Sequence, residues 1–230
     1  MSTVDRPESK VLPPLVPGQR LDRATFHERY AAMPPNTRAE LVGGVVYMPS
    51  PLSYEHGAPD ADLSYWLGHY KRFTRGLGAA ANATVQFENY GEPQPDLQLR
   101  IPEELGGQSR IEGGYVVGPP ELIVEVSKSS RKYDLGPKKA DYERAGVREY
   151  VFVGLDPQEV RWFVHRDGRF DELPPDINGV VRSDVYPGLW FDSKAFFAED
   201  MERLIATLER GLATPEHAAF VARLGQARKG

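Results

Sequence analysis

Cysteine is absent from the 230 residues, which excludes disulfides, thiolate zinc sites and cysteine nucleophiles. Any metal must then be held by oxygen or imidazole. No apolar run approaches the ~20 residues that span a bilayer, and Met1 to Lys10 is polar, without the apolar core of a signal peptide. A cytoplasmic location with no membrane partner is therefore expected. Net positive charge is lacking too. At −5 overall, the chain has no protein-wide basic field to attract a polyanion, so nucleic-acid contact needs a local patch. The residues available for one are Lys128, Arg131, Lys132, Lys138 and Lys139, a cluster that also suits a solvated loop. Phosphate-cradling Gly-x-x-x-x-Gly-Lys-Ser/Thr, the Gly-x-Ser-x-Gly nucleophile turn and His-Glu-x-x-His are all missing.

What is present suits a globular protein: 40% hydrophobic and 27% charged residues, ample for one core. The expected organisation is an extended proline-rich arm over 1–20, one α/β domain over 21–192 and a helical extension over 193–230. Asp22 is placed to N-cap a short helix carrying Phe26 and Tyr30, which ends before Pro34 and Pro35. Gly43-Gly44 between Glu40-Leu41-Val42 and Val45-Val46-Tyr47 predicts a two-residue β-hairpin. From Tyr54, the apolar positions Leu63, Trp66, Leu67, Tyr70 and Phe73 recur at helical spacing and cover a sheet.

Strands are predicted at Thr84–Glu88, Asp96–Ile101 and Leu122–Ser127, with a loop or loose hairpin across Glu103 to Gly118. Leu122–Ser127 is apolar on both faces apart from Glu125 and its last residue, Ser127, which reads as a central strand. Asp134 is the expected N-cap of a helix through Arg144, closed at Ala145-Gly146, with a strand at Glu149–Val153. Strand, helix, strand is thus the central unit. Val160–Val164 follows as a strand, then a turn at Asp167-Gly168. Met201 to Leu212 is amphipathic, and Thr214-Pro215 starts a last helix.

Glu125 poses the chemical question. A carboxylate inside a central strand forfeits several kcal/mol of hydration unless a metal, a cation or a proton compensates it. Asp96, after Pro95 at the start of a strand, suits either turn chemistry or a carboxylate aimed at its neighbour strand. Converging from adjacent strands, the two would make a hard oxygen site suited to Mg2+ or Mn2+. Such an ion polarises a phosphodiester and lowers the pKa of a bound water. Two residues after Glu125, where this chemistry usually has a lysine, stands Ser127. Lys138 on the following helix is the substitute, able to orient water or meet developing charge.

Pro95-Asp96, Glu125-Val126-Ser127, Asp134-Leu135-Gly136-Pro137-Lys138, Tyr142 and Gly146-Val147-Arg148-Glu149-Tyr150 together resemble the Uma family of restriction-endonuclease-like proteins, within the PD-(D/E)XK nuclease superfamily. Glu40 to Gly44 and His56 extend the resemblance upstream. It implies a restriction-endonuclease-like fold, a mixed central β-sheet flanked by α-helices. It also implies Asp96, Glu125 and the Val126 carbonyl as metal ligands. Lys138 would be the relocated catalytic lysine, preferred over Lys139 because it lies four residues before Tyr142. Glu40, His56, Ser127 and Tyr142 are supporting candidates, and Lys128, Arg131, Lys132 and Lys139 candidate nucleic-acid contacts. The function expected is a magnesium-dependent endonuclease acting on DNA, paired as a homodimer. The alternative is a non-catalytic interaction or regulatory protein on the same scaffold.

Overall fold

A computed structural model describes residues 12–49, 53–88 and 90–228. Most of the expected N-terminal arm, residues 1–11, lies outside the described residues. Helix α1, Arg23–Ala31, begins where Asp22 accepts the Thr25 N–H at 2.9 Å, the cap its side chain was expected to form. Strands β1, Glu40–Val42, and β2, Val45–Tyr47, pair antiparallel around Gly43 and Gly44. Both glycines have positive φ, 60° and 72°, the left-handed pair that this tight turn demands. Leu15, Phe26, Ala39, Leu41 and Val46 bury a small core between the hairpin and α1.

Helix α2, Tyr54–Phe73, buries Leu63, Trp66, Leu67 and Tyr70 of the predicted stripe, while Phe73, at its last position, is exposed. Beyond it come β3, Gly78–Ala81, β4, Val85–Gln86, and β5, Leu97–Arg100. The glycine-rich insertion closes as a hairpin, β6, Arg110–Glu112, and β7, Tyr115–Val117, with β4 alongside β7. Strand β8, Leu122–Ser127, is buried along its whole length.

After β8 the chain makes a helical turn, α3, Arg131–Tyr133, then a wide π-type turn over Asp134–Lys138, then α4, Lys139–Ala145. This corrects the expected start. Asp134 does not cap the helix, because the chain is already helical from Arg131. Its carboxylate instead accepts the Ser130 hydroxyl at 2.5 Å. Gly136, at φ −105° and ψ −105°, is where the helix opens ahead of Pro137, whose ring has no N–H to give the preceding turn. Gly146 closes α4 at φ 82°, as expected of a C-terminal glycine.

Strands β9, Glu149–Leu155, β10, Gln158–Arg166, and β11, Arg169–Leu173, complete a six-stranded sheet of order β11-β10-β9-β8-β5-β3. Only β8 and β9 run parallel; the other neighbours are antiparallel. The sheet is mixed, and the α3–α4 segment is its crossover. The chain ends with β12, Val180–Arg182, β13, Trp190–Asp192, and helices α5, Ser193–Phe197, α6, Met201–Leu212, and α7, Pro215–Ala227. Thr214 caps α7 through the His217 N–H.

Side chains of β8 alternate between two cores. Leu122, Val124 and Val126 join α2, α6 and α7 on one face, in the cluster holding Trp66, Leu204 and Phe220. Ile123 packs on the other with Tyr142, Tyr150, Phe152 and Phe163. By the same alternation Glu125 faces the second core, beneath α4.

Candidate active site

A cleft of about 450 Å³ lies between the β1–β2 hairpin, the start of α2, the start of β5, the end of β8, and the α3–α4 turn. Among its lining residues are Glu40, His56, Asp96, Glu125, Val126 and Lys138, all singled out from sequence. Glu125 enters from the core side of β8 and is 2% exposed. Its Oε1 accepts from the Lys138 ammonium at 2.9 Å and from the Tyr142 hydroxyl at 2.5 Å. Lys138 and Tyr142 are one helical turn apart, so both can reach one oxygen. Glu40 holds the other side of Lys138, at 3.0 Å, and takes the Gln94 N–H at 2.7 Å.

Asp96 stands just before β5, where its Oδ2 accepts the Val126 N–H at 2.7 Å. That bond ties the Asp96 carboxylate to the backbone immediately after Glu125. Asp134 completes the acidic wall, and its partner Ser130 also faces the Ser127 hydroxyl, 3.1 Å away. At 127, where this chemistry usually has a lysine, a short hydroxyl pair links the strand end to Asp134.

Charge in this cleft is unbalanced. Glu40, Asp96, Glu125 and Asp134 surround the single buried ammonium of Lys138. Burial pushes the Asp96 carboxyl up to about 6, with Lys138 and the Val126 N–H pulling the other way. Burial raises Glu125 well above the ordinary carboxylate range despite Lys138, and also raises Asp134, with Lys138 and Ser130 pulling the other way. For Lys138 burial favours the neutral amine, but Glu125, Glu40, Asp134 and Asp96 outweigh it and hold the ammonium charged.

Asp60 was not anticipated. It lies four residues after His56 on α2, so both project from one helical face, and their facing atoms are 3.5 Å apart. One ligand atom each from His56, Asp60 and Asp96 lies within 4.8 Å of the others. Burial lifts the Asp60 carboxyl to about 6. The i, i+4 spacing was the only signal in the sequence, and it is common on helices without any ligand.

The residues of the expected basic patch have different partners. Lys128 lines the cleft and pairs with Glu55 at 3.5 Å, while Lys132 is exposed. Arg131 pairs with Glu159 at 2.8 Å. Lys139 lies 4.7 Å from the Phe163 ring centre and 5.4 Å from that of Phe170, against the aromatic core beside β10 and β11. Arg38, which lines the cleft, had not been considered.

Among solved structures the chain resembles the crystal structure of a "putative nuclease belonging to DUF820" from Anabaena variabilis. The TM-score is 0.60 at 13% identity, covering 74% of this chain and 96% of the other. That likeness establishes the fold. No curated protein matches the sequence. Residues 24–194 match the Uma2 family, described as "Putative restriction endonuclease". The match takes in the hairpin, α2, β5, β8 and the α3–α4 turn that together build the cleft, and the chain accordingly belongs to the Uma2 family of restriction-endonuclease-like proteins.

Proposed function

We propose that this protein is an endonuclease that hydrolyses DNA phosphodiester bonds with magnesium or manganese, at the site formed by Asp96, Glu125 and Lys138. The observation that carries this reading is the charge imbalance of the cleft. Several buried carboxylates share one ammonium, an arrangement that is costly without further positive charge. The donor set fits a divalent ion, since carboxylate oxygens dominate and two buried side-chain atoms beside Asp96, Nε2 of His56 and Oδ1 of Asp60, have no hydrogen-bond partner. Asp96, Glu125 and the Val126 carbonyl would hold the ion. Bound there, a divalent cation polarises the phosphodiester and supplies hydroxide at neutral pH.

The chain's own groups do the rest. Tyr142 fixes Glu125 by its hydroxyl, and Glu40 holds Lys138 against Glu125. From there the ammonium orients the attacking water and meets charge developing on the phosphoryl oxygens. Lys128 and Arg38 at the cleft lining supply contacts to flanking phosphates. Purified protein is expected to nick supercoiled plasmid with magnesium or manganese and to stop on chelation. Glu125→Ala should lower the rate by about 10²-fold or more; cleavage unaffected by that change would overturn the assignment.

A further inference from the structure

We propose that the cleft has a second cation position on its α2 side, made by His56 and Asp60 with Asp96 shared between the two positions, and that it favours manganese over magnesium. The inference rests on the metal-dependent reading above and adds ligands to it. His56, Asp60 and Asp96 each offer an atom within 4.8 Å of the other two, close enough to surround one ion. Glu125 is outside that group, and its Oε1 is already taken by Lys138 and Tyr142. The two sets of groups therefore meet only at Asp96.

Unmet hydrogen-bonding capacity points to a ligand rather than to an internal pair. Nε2 of His56 and Oδ1 of Asp60 are both inaccessible and both lack a partner. Their closest approach to each other, between Nε2 and Oδ2, is 3.5 Å, long for a hydrogen bond. Buried polar atoms without partners cost about 1–3 kcal/mol each, so two on one helical face call for a common acceptor of their lone pairs. Asp96 Oδ2 accepts the Val126 N–H, which leaves its other oxygen and the remaining lone pair of Oδ2 for ions. A carboxylate bridging two cations ~4 Å apart is a standard way to hold both sides of a phosphoryl group. Magnesium prefers an all-oxygen octahedron, whereas imidazole suits transition ions. Nitrogen in the set thus favours manganese over magnesium.

Manganese(II) chloride titrated into the metal-free chain, followed by electron paramagnetic resonance, tests this. Wild type should bind manganese with a nitrogen coupling visible in the pulsed spectrum. His56→Gln should abolish that coupling, and Asp60→Asn should weaken the nitrogen-coupled ion about 10-fold or more, with circular dichroism verifying that both variants are folded. Bound manganese without nitrogen coupling in wild type, or coupling that survives His56→Gln, overturns the second position. Nicking by a protein whose manganese shows no nitrogen sinks this inference and spares the endonuclease reading; nitrogen-coupled manganese without nicking does the reverse.

Discussion

Glu125 and Lys138 differ in how they could be found. An acid within Leu-Ile-Val-Glu-Val stands out because every neighbour is apolar, and burial is implied by the run itself. Lys138 is one of several nearby cations, and only its distance from Tyr142 distinguished it from Lys139. The structure separates the two lysines: Lys138 meets Glu125 and Glu40, while Lys139 lies on Phe163 and Phe170. Asp60 was illegible because its significance comes from Asp96, far along the chain and on another element. Glu149 is a further buried acid, away from the cleft. Its Oε1 accepts the Asp184 and Val185 N–H groups and its Oε2 the Ser183 hydroxyl, yet burial still lifts it to about 7. The folded state therefore binds this proton more tightly than the unfolded chain. Its contribution to stability is full below the ordinary glutamate value and is lost as pH rises through about 7. Denaturation at a series of pH values should show a decline of order 3 kcal/mol from this group between pH 4.5 and 8, flattened in Glu149→Gln. An unchanged slope in the variant would refute the assignment.

At the scale of elements, local signals read well where the chemistry of a turn or cap is local. Asp22, Gly43-Gly44, Gly146 and Thr214-Pro215 each mark an element end in the structure. Strand β3, Gly-Ala-Ala-Ala, carries no strand propensity, being glycine followed by a strong helix former, and exists because it pairs with β5. Strands β12 and β13 are three residues each, too short to show a period. The α3–α4 turn was misread at its start because Ser130 answers Asp134 from the preceding turn. Helix α2 depends on Trp66, which is 1% exposed. Its indole donates to the Trp190 carbonyl at 3.0 Å and its ring meets Trp162 and Phe191 edge-on. Trp66→Ala should cost about 3–5 kcal/mol, measured by urea unfolding. A loss below ~1 kcal/mol would mean that α2 is not anchored there.

On the scale of the whole molecule, a net charge of −5 set nucleic acid and protein at odds, and the sequence offered no resolution beyond the cluster of Lys128, Arg131, Lys132, Lys138 and Lys139. The strand–helix–strand unit of β8, the α3–α4 segment and β9 was legible because that crossover is local, and the mixed sheet was what the family resemblance implied; the pairing of β3 and the placement of β12 and β13 were not legible. Glu40, Asp60, Asp96, Glu125 and Asp134 gather at the cleft, where Lys138 is the buried cation. Such a mouth repels a phosphate backbone until positive charge enters it. The proposed enzyme is therefore expected to bind its ion first and the polyanion second. Fluorescence anisotropy of a short labelled duplex should show association at least ~10-fold tighter in calcium, which takes oxygen ligands of the same kind, than in chelator. Equal affinity in both would show that DNA finds another face. On the endonuclease reading, the divalent ion would then govern whether DNA is held at all as well as whether it is cut.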